Sequence, residues 1–305
     1  MKSLILFLTL IVLAPLFSAI MLKIKAFFAG KKGIPLLINY YTLIKLIQKT
    51  SVYSISTSQI FQVGYLITLA TTLTSLLFLP FSGLPPLLSF NGDIIFVLYL
   101  MSLGKFFTLI SAMDTGSSFE GLGASREAFF SFLAESAFFM VIISFFWFDE
   151  KLSIASYFMA NNKINVWNNY NFPLPLVGIS LFLILLTENS RVPIDDPATH
   201  LELTMIHEVM ILDHSGPALA FIYINSYLKL LFFSSFLTLL LFPRFGLDNK
   251  WNIASFYITL ICIYISIGIT ESIMARFKLN KVPKFLVITF SLATFATIII
   301  MGFAR

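Results

Sequence analysis

Eight long apolar runs dominate this sequence and constrain what the chain can fold into. They cover approximately residues 4–22, 60–80, 89–112, 128–148, 172–188, 217–242, 253–271 and 284–304. A helix needs about 20 mostly apolar residues to cross a bilayer, and only helices or closed barrels satisfy their backbone hydrogen bonds there. The sequence therefore predicts an all-α polytopic membrane protein with about eight transmembrane helices, built as a single membrane domain over residues 1–305.

The composition favours lipid as the main solvent of this chain. Hydrophobic residues make up 58% of it and charged residues 11%, whereas soluble domains are about a quarter charged. The net charge of +5 would suggest nucleic acid for a soluble protein; here it indicates lysines that face an anionic leaflet, and no nucleic-acid partner is expected. The first run could be a signal peptide, but it is long for one, and we interpret it as an uncleaved span.

The basic residues are divided unequally between the two sides of this topology. Eight spans place both termini on one side and the loops at about 23–59, 113–127, 189–216 and 272–283 on the other. Twelve of the 20 lysines and arginines fall on the side of these loops, and six fall on the side of the termini. Because cytoplasmic loops carry the excess of basic residues, these loops are predicted to be cytoplasmic and both termini outside. The amphipathic segment 35–57 is predicted to lie at the membrane interface.

The residues most capable of acid–base or metal chemistry are concentrated between Thr187 and Gly216. This stretch holds six carboxylates, one arginine and all three histidines. Glu188 and Arg191 would share a face and could pair if the helix continued past them. Asp195 and Asp196 lie between two prolines, where the N–H groups of a following helix turn attract negative charge. Each residue could simply cap a helix or lie in a solvated loop, but the group as a whole indicates a functional surface.

The three histidines in this stretch recur at a seven-residue spacing. His200, His207 and His214 would therefore align on one face of a predicted helix. Metal-binding helices place their ligands three or four residues apart, whereas a seven-residue step separates side chains by roughly 10 Å. The spacing therefore favours a protonatable face or interface packing over a metal site, with Glu208 and Asp213 as further groups that could handle protons.

Glu135 is the second signal, because it lies well inside a predicted span. It follows Arg126 by nine residues, which is roughly 13 Å along a helix. An ionisable residue at that depth is by default a functional hypothesis, although a hydrogen-bonded structural acid is the alternative. Lys105 and Lys229 also lie in spans, and either could pair with Glu135 or extend its ammonium towards the interface. A buried acid–base set beside a charged cytoplasmic face is what a proton relay needs.

Several of these segments resemble the family of the complex I heel subunit, which includes membrane subunits of formate hydrogenlyase and other membrane-bound NiFe hydrogenases. Gly92–Glu135 and Thr187–Leu203 carry the resemblance, and Ala29–Ser54 and Glu271–Phe285 are similar to its first and last cytoplasmic loops. The segments occur in family order over nearly the whole chain. The resemblance implies an eight-helix subunit that docks a peripheral redox arm against antiporter-like membrane subunits.

The resemblance also implies roles for particular residues. Arg126 and Glu135 match the arginine and the buried glutamate of the family. A second group matches the loop that lines a quinone-type cavity and begins a charged axis through the membrane arm. Its members are Glu188, Arg191, Pro193, Asp195, Pro197 and Glu202. Without the two prolines, and together with Asp196 and Lys229, these residues form the predicted proton- or ion-coupling set.

Departures from the family pattern point to one branch of it. Ala198 and His200 stand where the quinone-reducing branch has glutamates, and Asn39 and Thr42 stand where a glutamine and an aspartate are usual. The run Gly123–Glu127 resembles the hydrogenase branch. These residues argue against quinone binding and imply a hydrogenase-4-like or formate-hydrogenlyase-like complex that moves protons or sodium ions across the cytoplasmic membrane of a prokaryote. The alternatives are the heel subunit of an NADH–quinone oxidoreductase, with a quinone cavity, and an independent transporter or anchor.

The cysteine content assigns redox chemistry to other subunits. Cys262 is the single cysteine, and an iron–sulfur cluster needs about four protein ligands. We therefore predict no cofactor and no catalytic residue in this chain, which would be a non-catalytic subunit of an oxidoreductase complex. Iron–sulfur clusters, and a NiFe centre where the arm retains one, would lie in hydrogenase-like or complex I-like partner subunits.

Overall fold

Helices form the architecture of this protein. The structure, a computed structural model, describes residues 2–147, 151–159, 173–195, 205–242 and 249–303, and it has no strand within those ranges. The helices are α1 (Lys2–Phe28), α2 (Ile38–Ile47), α3 (Gln59–Leu77), α4 (Asp93–Asp114), α5 (Ser118–Phe146), α6 (Ile154–Met159), α7 (Leu174–Glu188), α8 (Gly216–Leu241), α9 (Asn249–Ile273) and α10 (Val282–Phe303). Short 3-10 turns occupy Phe81–Gly83, Glu208–Ile211 and Leu279–Lys281.

Seven of these helices are long and apolar enough to cross a membrane, namely α1, α3, α4, α5, α8, α9 and α10. The apolar helix α7 has 15 residues and occupies the position of the remaining predicted span. At 1.5 Å per residue it extends about 22 Å, and most of its side chains are buried among the other helices. The prediction of an all-α membrane protein with about eight spans is confirmed.

The four predicted cytoplasmic loops meet at one end of the helix bundle, which we call the loop end. The backbone N–H of Ser58 donates to Asp114 Oδ2 over 2.7 Å, and that of Phe277 donates to the carbonyl of Pro193 over 2.8 Å. Val52 N–H donates to Ser215 Oγ over 2.9 Å. These contacts join the segments that follow α2, α4, α7 and α9.

Close contact between α3 and α4 depends on a glycine. A Cβ at Gly104 would lie 2.6 Å from Thr71 Oγ1, so a larger residue would require the Thr71 side chain or the helix to move. Small residues at helix contacts let backbones approach closely in membranes. This contact orients α4 so that Lys105, the next residue, points into the space bounded by α5, α7 and α8.

Candidate functional site

A cavity lies between α3, α4, α5, α7 and α8, close to the loop end. The volume within it that is open to the centres of water molecules is about 90 Å³, and both apolar and polar groups line it. Hydroxyl groups of α3 and α4 line one wall, and residues of the loop after α7 line another. The ionisable side chains that line it are Lys105, Glu127, Glu188, Arg191, His207, His214 and Lys229. Residues that are far apart in the sequence therefore share one space inside the bundle.

Glu188 is the hub of the charges in this cavity. Its Oε1 accepts from Lys105 Nζ at 2.6 Å, and its Oε2 lies 3.4 Å from Lys229 Nζ. The Glu188 side chain is only 4% exposed, and the two lysine side chains are 10% and 19% exposed. Because isolated charges are costly in a low-dielectric interior, each of these three groups depends on the others.

Lys105 extends this set to Glu135. Its Nζ also lies 3.0 Å from Glu135 Oε1, so one ammonium group joins two carboxylates. The sequence left the partner of Glu135 open between Lys105 and Lys229, and the structure shows that it is Lys105. Glu135 is less enclosed than expected, because its side chain is 37% exposed.

The site residues predicted from the sequence omit two charged residues of the cavity. Lys105 enters that prediction only as an alternative partner of Glu135. A lysine in the middle of an apolar run is nevertheless a sufficient reason to select it as a candidate site residue. Glu127 also lines the cavity, and Ser131 Oγ donates to its Oε1 over 3.3 Å. Glu127 immediately follows Arg126, and only its position on the inward side of α5 distinguishes it from a solvated acid.

The predicted pairing of Glu188 with Arg191 is wrong. The helix ends at Glu188, and Ser190 adopts a left-handed conformation with φ 48°, which directs Arg191 towards α9 instead. Arg191 Nη1 lies 3.6 Å from Glu271 Oε1, and Lys25 Nζ lies 2.9 Å from Glu271 Oε2. Glu271 thus joins the loop after α7 to α1 and α9 at the loop end.

Asp195 organises the remainder of the described loop. Its Oδ1 lies 2.8 Å from Arg276 Nη2, and its Oδ2 accepts from the backbone N–H groups of Ile206 and His207 at 3.0 and 3.1 Å. The carboxylate therefore binds the N–H groups of the following turn, as the sequence suggested. Three predicted site residues, Asp196, His200 and Glu202, lie outside the residues that the structure describes.

The histidines do not align on a helix within the described part of this loop. Only the 3-10 turn Glu208–Ile211 is helical there, because Asp195 holds the preceding residues in a tight turn. His207 and His214 flank that turn, and both line the cavity. Burial lowers the pKa of His207 below its usual value. Within the described ranges, no group of three or more potential metal ligands is present.

The other predicted residues of this region hold the loop against α5. Arg126 Nη1 donates to the carbonyl of Met205 over 3.2 Å. The backbone N–H of Asp213 donates to Glu120 Oε1 over 3.1 Å, and Glu208 begins the 3-10 turn between these two contacts. Arg126 thus stabilises the wall of the cavity through backbone contacts.

His214 is stacked on Phe61, and this contact has a consequence for pH. The two ring centroids are 4.0 Å apart and the rings are nearly parallel, and burial lowers the pKa of His214 to about 4. The unfolded chain binds more protons between pH 6.5 and 4, so stability is full above pH 6.5 and falls as the pH drops towards 4. This contribution is on the order of 3 kcal/mol. Thermal unfolding of wild type and His214→Phe across this range should show a weaker pH dependence in the variant, and equal slopes would contradict the assignment.

Gly123 allows the loop to approach α5. A Cβ there would lie 2.9 Å from the carbonyl oxygen of Ile206, so Gly123→Ala must displace the backbone next to His207. We expect this overpacking to lower the free energy of unfolding by about 1–3 kcal/mol, measured by thermal unfolding in detergent. Gly121→Ala is the matched control, because nothing lies within 4 Å of its Cβ position. Equal losses in both variants would contradict this contact.

Comparison with known proteins places the chain in a family. A model of the NADH dehydrogenase family matches residues 1–302. The chain belongs to this family. As a member of the NADH dehydrogenase family with apolar spanning helices, it is an integral membrane protein, and the resemblance seen in the sequence is confirmed.

Three individual proteins show this similarity in more detail. The chain is 28% identical to Hydrogenase-4 component C of Escherichia coli K12 over 306 residues, which cover 94% of this chain and 91% of that protein. It is 37% identical to Formate hydrogenlyase subunit 4 of the same organism over 134 residues, or 42% of each chain. A chain of the membrane-bound sulfane sulfur reductase, an archaeal respiratory membrane complex, shares the fold with a TM-score of 0.80 at 19% identity, over 98% of both chains.

Proposed function

We propose that this chain is the membrane subunit of a hydrogenase-4-like or formate-hydrogenlyase-like complex. In this role it docks a peripheral redox arm and couples electron transfer there to proton or sodium translocation. Its family membership and its similarity to Hydrogenase-4 component C over nearly the full length of both chains support the subunit assignment. The iron–sulfur clusters, and a NiFe centre where one is retained, would belong to the partner subunits.

The observation that carries the coupling role is the unbroken series of closely spaced charges. It runs from Lys229 through Glu188 and Lys105 to Glu135, with separations of 3.4, 2.6 and 3.0 Å. Lys105 is shared by two carboxylates, so protonation of one strengthens its attraction to the other. Because the interaction of close charges is strong in a low-dielectric interior, a charge change at Glu188 would alter the proton affinity of Glu135.

Movement at the loop end would act on the start of this series. The Asn189–Asp195 segment directly follows Glu188 and is held from the α9–α10 side by Arg276, whose guanidinium pairs with Asp195. A peripheral arm that moves this segment would therefore change the position of Glu188. Exposed lysines on the adjoining loops, such as Lys278 and Lys281, offer a basic surface for docking.

Glu135 is the end of the series from which a charge change would pass to a neighbouring subunit. Its side chain is 37% exposed in the middle of α5, with the exposed rings of Phe132 and Phe139 one turn on either side. An ionisable group at that depth is rarely left to lipid. The proposed neighbour is an antiporter-like membrane subunit that covers this face and receives the proton or the electrostatic change.

Co-purification in mild detergent from the native prokaryotic membrane tests the subunit assignment. Recovery with hydrogenase-like subunits that carry iron–sulfur clusters is the expected result. Recovery with an NADH-oxidising flavoprotein arm would instead make the chain the heel subunit of an NADH–quinone oxidoreductase. Isolation alone, with ion transport in liposomes, would overturn both and leave an independent transporter.

The proposed orientation places the loop end in the cytoplasm and both termini outside. Its basis is the excess of lysine and arginine at the loop end. Single cysteines introduced at Lys278 and at Lys250, in a Cys262→Ser background, should react differently with an impermeant maleimide on intact cells. Position 250 should react and position 278 should not, and the reverse pattern would invert the proposed orientation.

A further inference from the structure

The segment between α1 and α3 does not simply cross the loop end. At Gly33 the chain packs against Ala26 of α1, because a Cβ at Gly33 would lie 3.1 Å from Ala26 Cβ. Six residues later, Asn39 Nδ2 donates to the carbonyl of Pro15 and to Ser18 Oγ, both over 2.8 Å. From Ala26 to Ser18 the axis of α1 extends about 12 Å, so the chain descends along α1 into the spanning layer.

The chain then returns to the loop end through α2. Val52 and Ser215 exchange hydrogen bonds of 2.9 and 3.2 Å. A Cβ at Gly216, the first residue of α8, would lie 2.7 Å from the carbonyl oxygen of Thr50. The segment from Gly33 to Ile47 therefore enters and leaves on the same side, and we call it the wedge.

The surface of the wedge is unusual for a segment in contact with water. Asn39 and Leu43 are buried against the protein, but most of the exposed side chains are large and apolar. Between 36% and 54% of each of these apolar side chains is exposed, and the residues are Ile34, Leu36, Leu37, Tyr41, Ile44 and Ile47. No charged residue occurs from Gly33 to Ile44. An apolar stretch of about 10–14 residues is too short to span a bilayer and is typical of re-entrant or interfacial segments.

Basic residues lie at both ends of the wedge. Lys31 and Lys32 precede it, Lys45 lies within its last turn, and Lys49 follows it; all four are exposed. The first acidic residue of the chain is Asp93, so no acidic residue lies close to these lysines in the sequence. Both pairs lie towards the loop end, where the wedge enters and leaves. We call these four residues the lysine collar.

We propose that the wedge inserts into one leaflet of the bilayer from the loop end and that the lysine collar binds anionic phospholipid headgroups. Lipid chains cover the outward apolar side chains, and the hydrogen bonds of Asn39 hold the tip of the wedge against α1. Anionic headgroups attract basic residues near the membrane surface, which matches the position of the collar at the level where the wedge leaves the spanning layer. This inference does not depend on the proposed coupling function.

Fluorescence quenching by brominated lipids tests the depth of the wedge. In a Cys262→Ser background, bimane would be attached to cysteine at position 37 or 55 of the full chain, purified with its native subunits and reconstituted in nanodiscs. Ile55 is the control, because it is apolar and fully exposed in the connection to α3. Quenching by bromines deep in the acyl chains should be at least about two-fold stronger at position 37, while aqueous iodide should quench position 55 preferentially.

Two other outcomes would overturn the insertion. Iodide quenching at position 37 without lipid quenching would place the wedge in water. Quenching by neither agent would show that a protein partner covers it.

The collar is tested with phosphatidylglycerol as the anionic lipid. The amount needed for half-maximal thermal stabilisation of the same preparation should rise roughly five-fold for each of Lys45→Gln and Lys49→Gln. Lys284→Gln is the matched control, since it removes an exposed charge at the same end outside the collar. Equal effects of all three variants would overturn specific binding by the collar.

Discussion

Replacing Glu188 with alanine is expected to lower the free energy of unfolding of this subunit by about 3–5 kcal/mol. The change removes the carboxylate that both Lys105 and Lys229 contact, at 2.6 and 3.4 Å. Their ammonium groups would remain inside the bundle with less compensation. Since natural proteins are stable by only about 5–15 kcal/mol, we expect a strong loss of folded protein. Unfolding in detergent, followed by circular dichroism, measures the effect.

Two further variants make this expectation specific. Glu135→Ala should cost clearly less, because Glu135 is partly exposed and Lys105 keeps Glu188 as a partner. The double variant Glu188→Gln with Lys229→Met lacks the carboxylate and also one of the two ammonium groups that its loss would leave unpaired. The double variant should therefore be more stable than Glu188→Gln alone. A loss for Glu135→Ala as large as that for Glu188→Ala, or no recovery in the double variant, would show that Glu188 is not the hub.

The second large effect concerns coupling. Glu135→Gln keeps the size of the side chain and a hydrogen-bond acceptor for Lys105, but it removes the exchangeable charge. We expect electron transfer by the intact complex to continue while the number of ions translocated per electron falls by about ten-fold or more, because the charge series would end at Lys105. Proteoliposomes with a pH- or sodium-sensitive dye and a parallel redox assay provide this ratio.

Glu135→Asp is the matched control for coupling, because it retains the carboxylate at a slightly shorter reach. It should keep a substantial part of the ion-to-electron ratio. Normal assembly of the Glu135→Gln complex must be shown by the yield of co-purified subunits. An unchanged ratio in a fully assembled Glu135→Gln complex would remove Glu135 from the proposed pathway.

The sequence was informative wherever a property depends on local composition. The spans follow from runs of apolar residues because a bilayer stabilises any apolar helix of sufficient length. Glu135 could be selected for the same reason, since an acid in such a run has few structural explanations. The family resemblance added Arg126 and the residues of the loop after α7, several of which the structure places at or beside the cavity.

The sequence was misleading wherever a prediction extended a helix past its end. Pairing of Glu188 with Arg191, and alignment of His207 with His214, both required continuous helix. In the structure, Ser190 turns the chain with a positive φ, and Asp195 binds the backbone N–H groups that precede the 3-10 turn. Such turns are stabilised by side chains from other segments, which periodicity does not reveal.

The sequence by itself determined that this chain is a helical membrane protein with about eight spans, and it marked Glu135 and the Glu188–His214 stretch as functional candidates. Only the tertiary structure decided which charges meet. Lys105 contacts Glu188 across 83 residues and Glu135 across 30, while Lys229 contacts only the first of these two carboxylates in the ion pairs described. Hydrophobic length is a property of one segment, whereas an ion pair requires several helices to pack at one depth and rotation.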